Sequence, residues 1–242
     1  MIIADDNIYY AKALMDYINA SNDDVRVCNI TVDGKETLEL LNSNDKIDIF
    51  LLDLKMPIFT GIEILNNLDE NKKKKYENSC IVISGETELV NQIIGNNIIY
   101  DYMYKSCGIS QIMLNINRLI KEKNEIKITK YLKQKIDEEL NILHFNNSYL
   151  GTKYLKECIF HIIVNMDKNF ENLKRDVYPK IANQYNKTVH NIKCNINSSV
   201  NAMYYDCKSE KIIEYFNLSK DFKPTPKIII NTIINKIEKN HK

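Results

Sequence analysis

One stretch constrains the fold more than any other: residues 47–65, IDIFLLDLKMPIFTGIEIL. Its run Ile49, Phe50, Leu51, Leu52 is short, apolar and strand-compatible, as expected of a strand buried on both faces of a parallel sheet. The run stops at Asp53, which sets a carboxylate at the carboxyl end of a buried strand, the edge where open α/β sheets hold their ligands. Pro57 and Gly61 interrupt the chain before a helical pattern opens at Ile62, so Lys55 to Gly61 reads as an exposed loop between strand and helix. Taken alone, such an Asp is as readily a strand cap as a reactive group.

The same alternation runs through the first half. Met1 to Ala4 is a short apolar strand ending in Asp5 and Asp6, and Asn7 can cap a helix carried by Ile8, Ala11, Leu14, Met15 and Ile18. A second strand is expected around Val25 to Ile30, and a helix through Leu38 and Leu41 ends near Asn42 to Asp45. Ile47 to Asp53 is the third strand, and Ile62 to Leu68 the helix after it. The Lys72 to Lys75 run reads as a solvated loop. Cys80 to Ser84 and Ile98 to Tyr104 are the fourth and fifth strands, followed by helices at Leu89 to Ile94 and Ile109 to Ile120. Five such units imply a doubly wound, flavodoxin-like α/β sheet with right-handed crossovers.

In that sheet Asp5, Asp6, Asp53, Ser84 and Lys105 all fall at carboxyl ends of strands and share one crevice. Three carboxylates that close repel one another and call for a hard divalent cation, Mg²⁺ or Ca²⁺. With the cation present, one carboxylate can attack a phosphoryl donor while Lys105 and the Ser84 hydroxyl bind the incoming oxygens.

Charge divides the chain in two. Residues 1–118 hold 11 Lys and Arg against 18 Asp and Glu, and residues 119–242 hold 22 against 14. An acidic module joined to a basic one suggests a metal or regulatory domain coupled to a nucleic-acid binder. The expected domains are 1–120, a charged linker at 121–129 (KEKNEIKIT), and an all-α domain at 130–242. Helices are expected at about 131–143, 153–166, 179–185, 189–204, 210–216 and 227–237, with a loop at His144 to Gly151. Six cysteines without a C-x-x-C pair suggest a reducing, cytoplasmic setting, and no apolar run approaches the ~20 residues of a membrane span.

Within this half, VYPKIANQYNKTVHNIKCNI has helix-turn-helix grammar. Pro179 opens a short helix, Ala182 is the small residue at the crossing, Asn186 and Lys187 turn the chain, and Thr188 caps a second helix with Val189, Ile192 and Ile196 inward. A generic helical hairpin carries the same grammar.

These residues bring two resemblances. Asp5-Asp6-Asn7, Asp53 with Met56-Pro57 and Gly61, Ser84-Gly85, and Lys105 behind Tyr102 resemble the receiver domain of bacterial response regulators over about the first 120 residues. The resemblance implies that Asp53 accepts phosphate from a phosphohistidine on a partner protein and that Asp5 and Asp6 bind the metal with the Lys55 backbone carbonyl. It also makes Ser84 and Tyr102 switch residues. Receivers usually carry more residues before the acidic pair, so a short first strand is expected. They also usually place Pro after the lysine. Ser106 stands there, so a trans bond and an altered Lys105 position are expected. The second half, through GTKYLKECI at 151–159, VYPKIANQYNKT at 177–188 and Lys223-Pro224-Thr225, resembles the DNA-binding domain of the stage-zero sporulation regulator of spore-forming Firmicutes.

Together the resemblances imply a non-enzymatic, phosphorylation-activated transcription factor that acts in a phosphorelay, controls entry into sporulation and dimerises on DNA. Candidate DNA-facing residues are Thr188, His190, Asn191, Lys193, Asn195 and Asn197. Where the family has Glu and Arg, this chain has Lys193, Cys194, Asn195 and Asn197, so its base reading is expected to differ. The alternatives are a receiver-bearing adaptor without specific DNA binding and an aspartyl-phosphate hydrolase.

Overall fold

The structure, a computed structural model, describes the chain except residues 22–23, 86, 166–171, 208, 218–221 and 240–242. It divides into two compact units, Met1–Glu125 and Ile126–Lys242.

The first unit is built on five parallel strands, β1 (Ile2–Ala4), β2 (Asn29–Thr31), β3 (Phe50–Leu52), β4 (Cys80–Ser84) and β5 (Ile99–Tyr104), in the order β2-β1-β3-β4-β5. Strand residues alternate between two cores. Ile2, Ala4, Phe50, Leu52, Cys80 and Val82 face one side, and Ile3, Leu51, Ile81, Ile83 and Met103 face the other. This two-sided burial is why β3 and β4 read as continuous apolar runs. Helices α1 (Ile8–Ser21), α2 (Gly34–Ser43), α3 (Gly61–Asn67), α4 (Glu70–Lys75), α5 (Thr87–Asn91) and α6 (Ile109–Ile142) accompany them.

Three expectations are corrected here. Val25 and Val27 are buried but precede β2, which starts at Asn29. The lysine run is the helix α4, since Lys is a good helix former and cations favour a helix C-terminus. Lys72 reaches Asp45 at 2.6 Å and Lys73 reaches Glu70 at 2.9 Å. The stretch 121–129, read as a linker for want of an apolar face, lies inside α6. No Gly or Pro stands between Ile109 and Ile142 to stop the helix, and the boundary between units falls within it. Ile126 and Ile128 are exposed there, which is what the missing face recorded.

The second unit is helical: α7 (Leu150–Val164), α8 (Leu173–Asp176), α9 (Tyr178–Gln184), α10 (Val189–Asp206), α11 (Ser209–Phe216) and α12 (Pro226–Lys239) enclose one core with the last turns of α6. The expected loop ends at Tyr149, two residues earlier than read, so Gly151 is helical. It marks a close crossing: a β-carbon there would stand 1.9 Å from the Asn195 carbonyl oxygen on α10. Ala182, read as the small residue between the two helices of the helix-turn-helix, is buried on α9. The end of the 153–166 helix, at Met166, lies outside the described residues, and α8 was not expected.

Candidate functional site

β1 and β3 are neighbours from which the chain departs in opposite directions, the switch point where doubly wound sheets open a crevice. Asp5 and Asp53 leave the ends of these two strands. Their amides continue the ladder, Asp5 N–H donating to Thr31 O at 3.0 Å and Asp53 N–H to Ala4 O at 2.8 Å. Both side chains are buried, while Asp6 is exposed. Asn7 caps α1 as expected, its Oδ1 accepting from the amides of Tyr9 and Tyr10 at 3.2 and 3.1 Å. Asp5 is steadied by the Asn7 amide, which donates to its Oδ1 at 2.9 Å.

Lys105 joins the two strand ends. Its ammonium lies 2.6 Å from Asp53 Oδ2 and 2.8 Å from Asp5 Oδ2, while the Lys55 amide donates to Asp53 Oδ1 at 3.2 Å. Lys105 thus reaches both carboxylates with no cis peptide among the described residues, and Lys105–Cys107 forms a 3-10 turn. Burial holds the Asp5 carboxyl above the usual range and outweighs its bonds to Lys105 and the Asn7 amide, and the neighbouring Asp53 charge adds to the rise. Burial alone would lower the Lys105 pKa, but its bonds to Asp5 and Asp53 leave it raised. The crevice therefore holds buried negative charge that one ammonium does not fully compensate.

A cation fits this donor set. Asp5, Asp6 and Asp53 offer oxygens that all lie within 4.8 Å of one another, and hard carboxylate oxygens suit Mg²⁺ or Ca²⁺.

Ser84 ends β4 and is buried. Register sets Leu52 against Val82, so Ser84 stands one residue beyond the level of Asp53 on the adjacent strand. Tyr102, on β5, is 49 % exposed and lines a cavity of about 290 Å³ with Val90, Ile93, Ile94 and Tyr100.

In the second unit α9 and α10 form the expected helix pair. Pro179 sits in the first turn of α9, Asn186 makes the turn at φ 50°, and the Thr188 hydroxyl accepts from the Asn191 amide at 3.1 Å to cap α10. Ile192, Ile196, Val200 and Met203 face the core. His190, Asn191, Lys193 and Cys194 are exposed and Asn197 is half-buried. Asn195 is also half-buried, and its amide folds back to donate to Asn191 O at 2.8 Å.

Residues 1–117 match the response regulator receiver domain family, and residues 136–237 match the C-terminal domain of the sporulation initiation factor Spo0A. The chain belongs to the Spo0A family. This Spo0A-family protein is therefore a receiver joined to a DNA-binding domain, the organisation of a phosphorylation-activated regulator of sporulation transcription.

Among solved structures, the Spo0A-family chain is similar to the REC domain of AraT, a response regulator from Geobacillus stearothermophilus, at 22 % identity over 52 % of this chain and 95 % of that one, with a TM-score of 0.43. It is also similar to a CheY-like receiver from Methanospirillum hungatei JF-1, at 20 % identity over 51 % and 94 % with a TM-score of 0.44. A third is the receiver domain of Francisella response regulator 1452, at 27 % identity over 50 % and 96 % with a TM-score of 0.39. No helix among the described residues is long and apolar enough to cross a membrane.

One neighbour of the crevice escaped the sequence reading. The Lys105 ammonium lies 5.4 Å from the centroid of the Tyr10 ring, a contact that only the orientation of α1 reveals.

Proposed function

We propose that Asp53 is the phosphoacceptor of this regulator. The observation that carries the reading is the Lys105 bridge between Asp53 and Asp5 at the β1/β3 switch point. An Asp53 carboxylate oxygen attacks the phosphorus of a phosphohistidine on a donor protein. The new P–O bond forms as the P–N bond breaks, and the freed imidazole nitrogen takes a proton. Lys105, already 2.6 Å from Asp53, moves its charge onto the transferred phosphoryl oxygens. Asp5 and Asp6, with Asp53 and the Lys55 carbonyl, hold Mg²⁺. When bound, the ion neutralises charge on the carboxylates and on the phosphoryl group.

The buried Ser84 hydroxyl, one strand away, then hydrogen-bonds a phosphoryl oxygen, and the half-exposed Tyr102 ring reorients toward the interior. That surface change favours a homodimer through the face carrying Tyr102. In the second unit α10 enters a DNA major groove, with Thr188, His190, Asn191, Lys193 and Asn197 toward the nucleic acid. Its cap and the outward stripe of His190, Cys194 and Asn197 support this reading.

Incubation with acetyl phosphate and Mg²⁺, followed by mass analysis, should place one phosphoryl group on Asp53 of the wild type and none on Asp53→Asn. Phosphate on the Asn variant would overturn the assignment. Sedimentation of the phosphorylated protein should show added dimer, and equal mass distributions with and without phosphate would remove the dimerisation step.

A further inference from the structure

Lys105 follows Tyr104, which ends β5 against Ser84, and beyond that pairing the backbone leaves the sheet. No residue from Tyr104 to Gln111 is buried, and the segment passes through the exposed Ser106 and Cys107 and through Gly108 at φ 81°. The position of the ammonium therefore depends on what its side chain touches. Two of those contacts are Asp53 and Asp5, the groups that change charge or gain ligands when the site works. The third is the Tyr10 ring, 5.4 Å from Lys105 Nζ to the centroid.

That ring is held by packing of its own. Tyr10 stands in the first turn of α1, its amide donating to the Asn7 cap at 3.1 Å, and it packs against the core that holds Ile3, Leu14, Ile83 and Met103. Its hydroxyl is buried and has no hydrogen-bond partner among the described residues, so the polar end of the side chain does not explain its presence. The ring face does, because an aromatic quadrupole attracts an ammonium most strongly where water is excluded.

We propose that Tyr10 is a positioning residue for Lys105, its ring keeping the ammonium at the mouth of the crevice while the charge on Asp53 changes. The step it serves is the phosphoryl transfer proposed above, so the inference rests on that reading. It adds a contact unaltered by the reaction: as Asp53 gives up its bond to Lys105, the ring still holds the lysine within reach of the phosphoryl oxygens.

The test uses the full chain, acetyl phosphate and saturating Mg²⁺. Tyr10→Leu should slow phosphate uptake by about tenfold, and Tyr10→Phe, which keeps the ring, should restore the rate to within about twofold. In a Lys105→Met background Tyr10→Leu should have no further effect, an outcome that a purely structural role for Tyr10 does not produce. A loss in Tyr10→Phe as large as in Tyr10→Leu would assign the role to the hydroxyl, and an equal loss with and without Lys105 would make Tyr10 a packing residue; either overturns the proposal. If the wild type gains no phosphate on Asp53, the reading of the reaction fails instead. Tyr10 and Lys105 are then tested by unfolding: non-additive shifts in urea midpoint across Tyr10→Leu, Lys105→Met and the double variant support the contact, and additive shifts refute it.

Discussion

A β-carbon placed on Gly61 would stand 2.6 Å from the carbonyl oxygen of Asp53 and 3.0 Å from the Leu54 α-carbon. Gly61 opens α3 and donates its amide to Leu54 O at 3.0 Å, so the loop after β3 closes directly against the backbone that carries the acceptor. Gly61→Ala must push these apart. The expected cost is about 1–3 kcal/mol in urea unfolding, with phosphate uptake slowed on the order of tenfold because Asp53 shifts. Unchanged midpoint and rate would show that the backbone yields freely.

Ile58 occupies the left-handed region, at φ 69°, although it is β-branched and 66 % exposed. Such a conformation costs a non-glycine residue roughly 1–2 kcal/mol, and no burial at this site offsets it. Ile58→Asn should therefore stabilise the receiver by about 1 kcal/mol, read as a higher urea midpoint. A lower midpoint would mean that the isoleucine makes contacts worth more than its strain.

Tyr76 is fully buried, its hydroxyl donating to Leu41 O at 3.1 Å and Asn44 O at 3.3 Å. Burial, reinforced by the charges of Asp45 and Asp48, pushes its pKa up to about 12. The folded protein therefore holds this proton more tightly than the unfolded chain. Its contribution is full below the ordinary value near 10 and is lost as pH rises toward about 12. Tyr76→Phe should cost about 1 kcal/mol at pH 8, and the gap from wild type should close between pH 10 and 12. Urea midpoints across that window, compared between the two proteins, check it; a constant gap would contradict the shift.

On α10 the two asparagines should behave differently. The Asn195 amide is engaged with Asn191 O at 2.8 Å, whereas Asn197 shares the outward stripe with His190 and Cys194. Asn197→Ala should alter preference at one base pair, by about 1–3 kcal/mol, while Asn195→Ala leaves preference unchanged. Lys193→Ala should weaken binding to all duplexes and lower the salt slope by about one. Anisotropy titrations at several salt concentrations separate the two patterns, and an absence of salt-dependent binding by the phosphorylated protein would exclude the groove assignment for α10.

Much of the crevice was legible because strand ends are legible. A run such as Phe50 to Leu52 has one way to lie in a doubly wound sheet, and Asp53 follows from it, as Asp5 follows from Ile2 to Ala4. Lys105 inherits its place from the register of β5 beside β4. What stayed hidden depends on distances between elements rather than on period within one. Tyr10 reads as an ordinary helix residue until α1 is set against β5, and Gly151 reads as a loop glycine until α7 meets α10. The 121–129 stretch is a different case. Its missing apolar face was a true report of exposure, and the boundary between the units falls inside it, but the helix α6 runs on through it.

The Lys105 bridge also fixes an arithmetic of charge. With all three carboxylates ionised, one ammonium leaves the crevice two negative charges from neutrality. Sodium or potassium entering it would leave half of that deficit, whereas a divalent ion cancels it. For an ion held among these carboxylates, valence would thus count before size or coordination number, and the preference would come from a lysine that need not touch the ion.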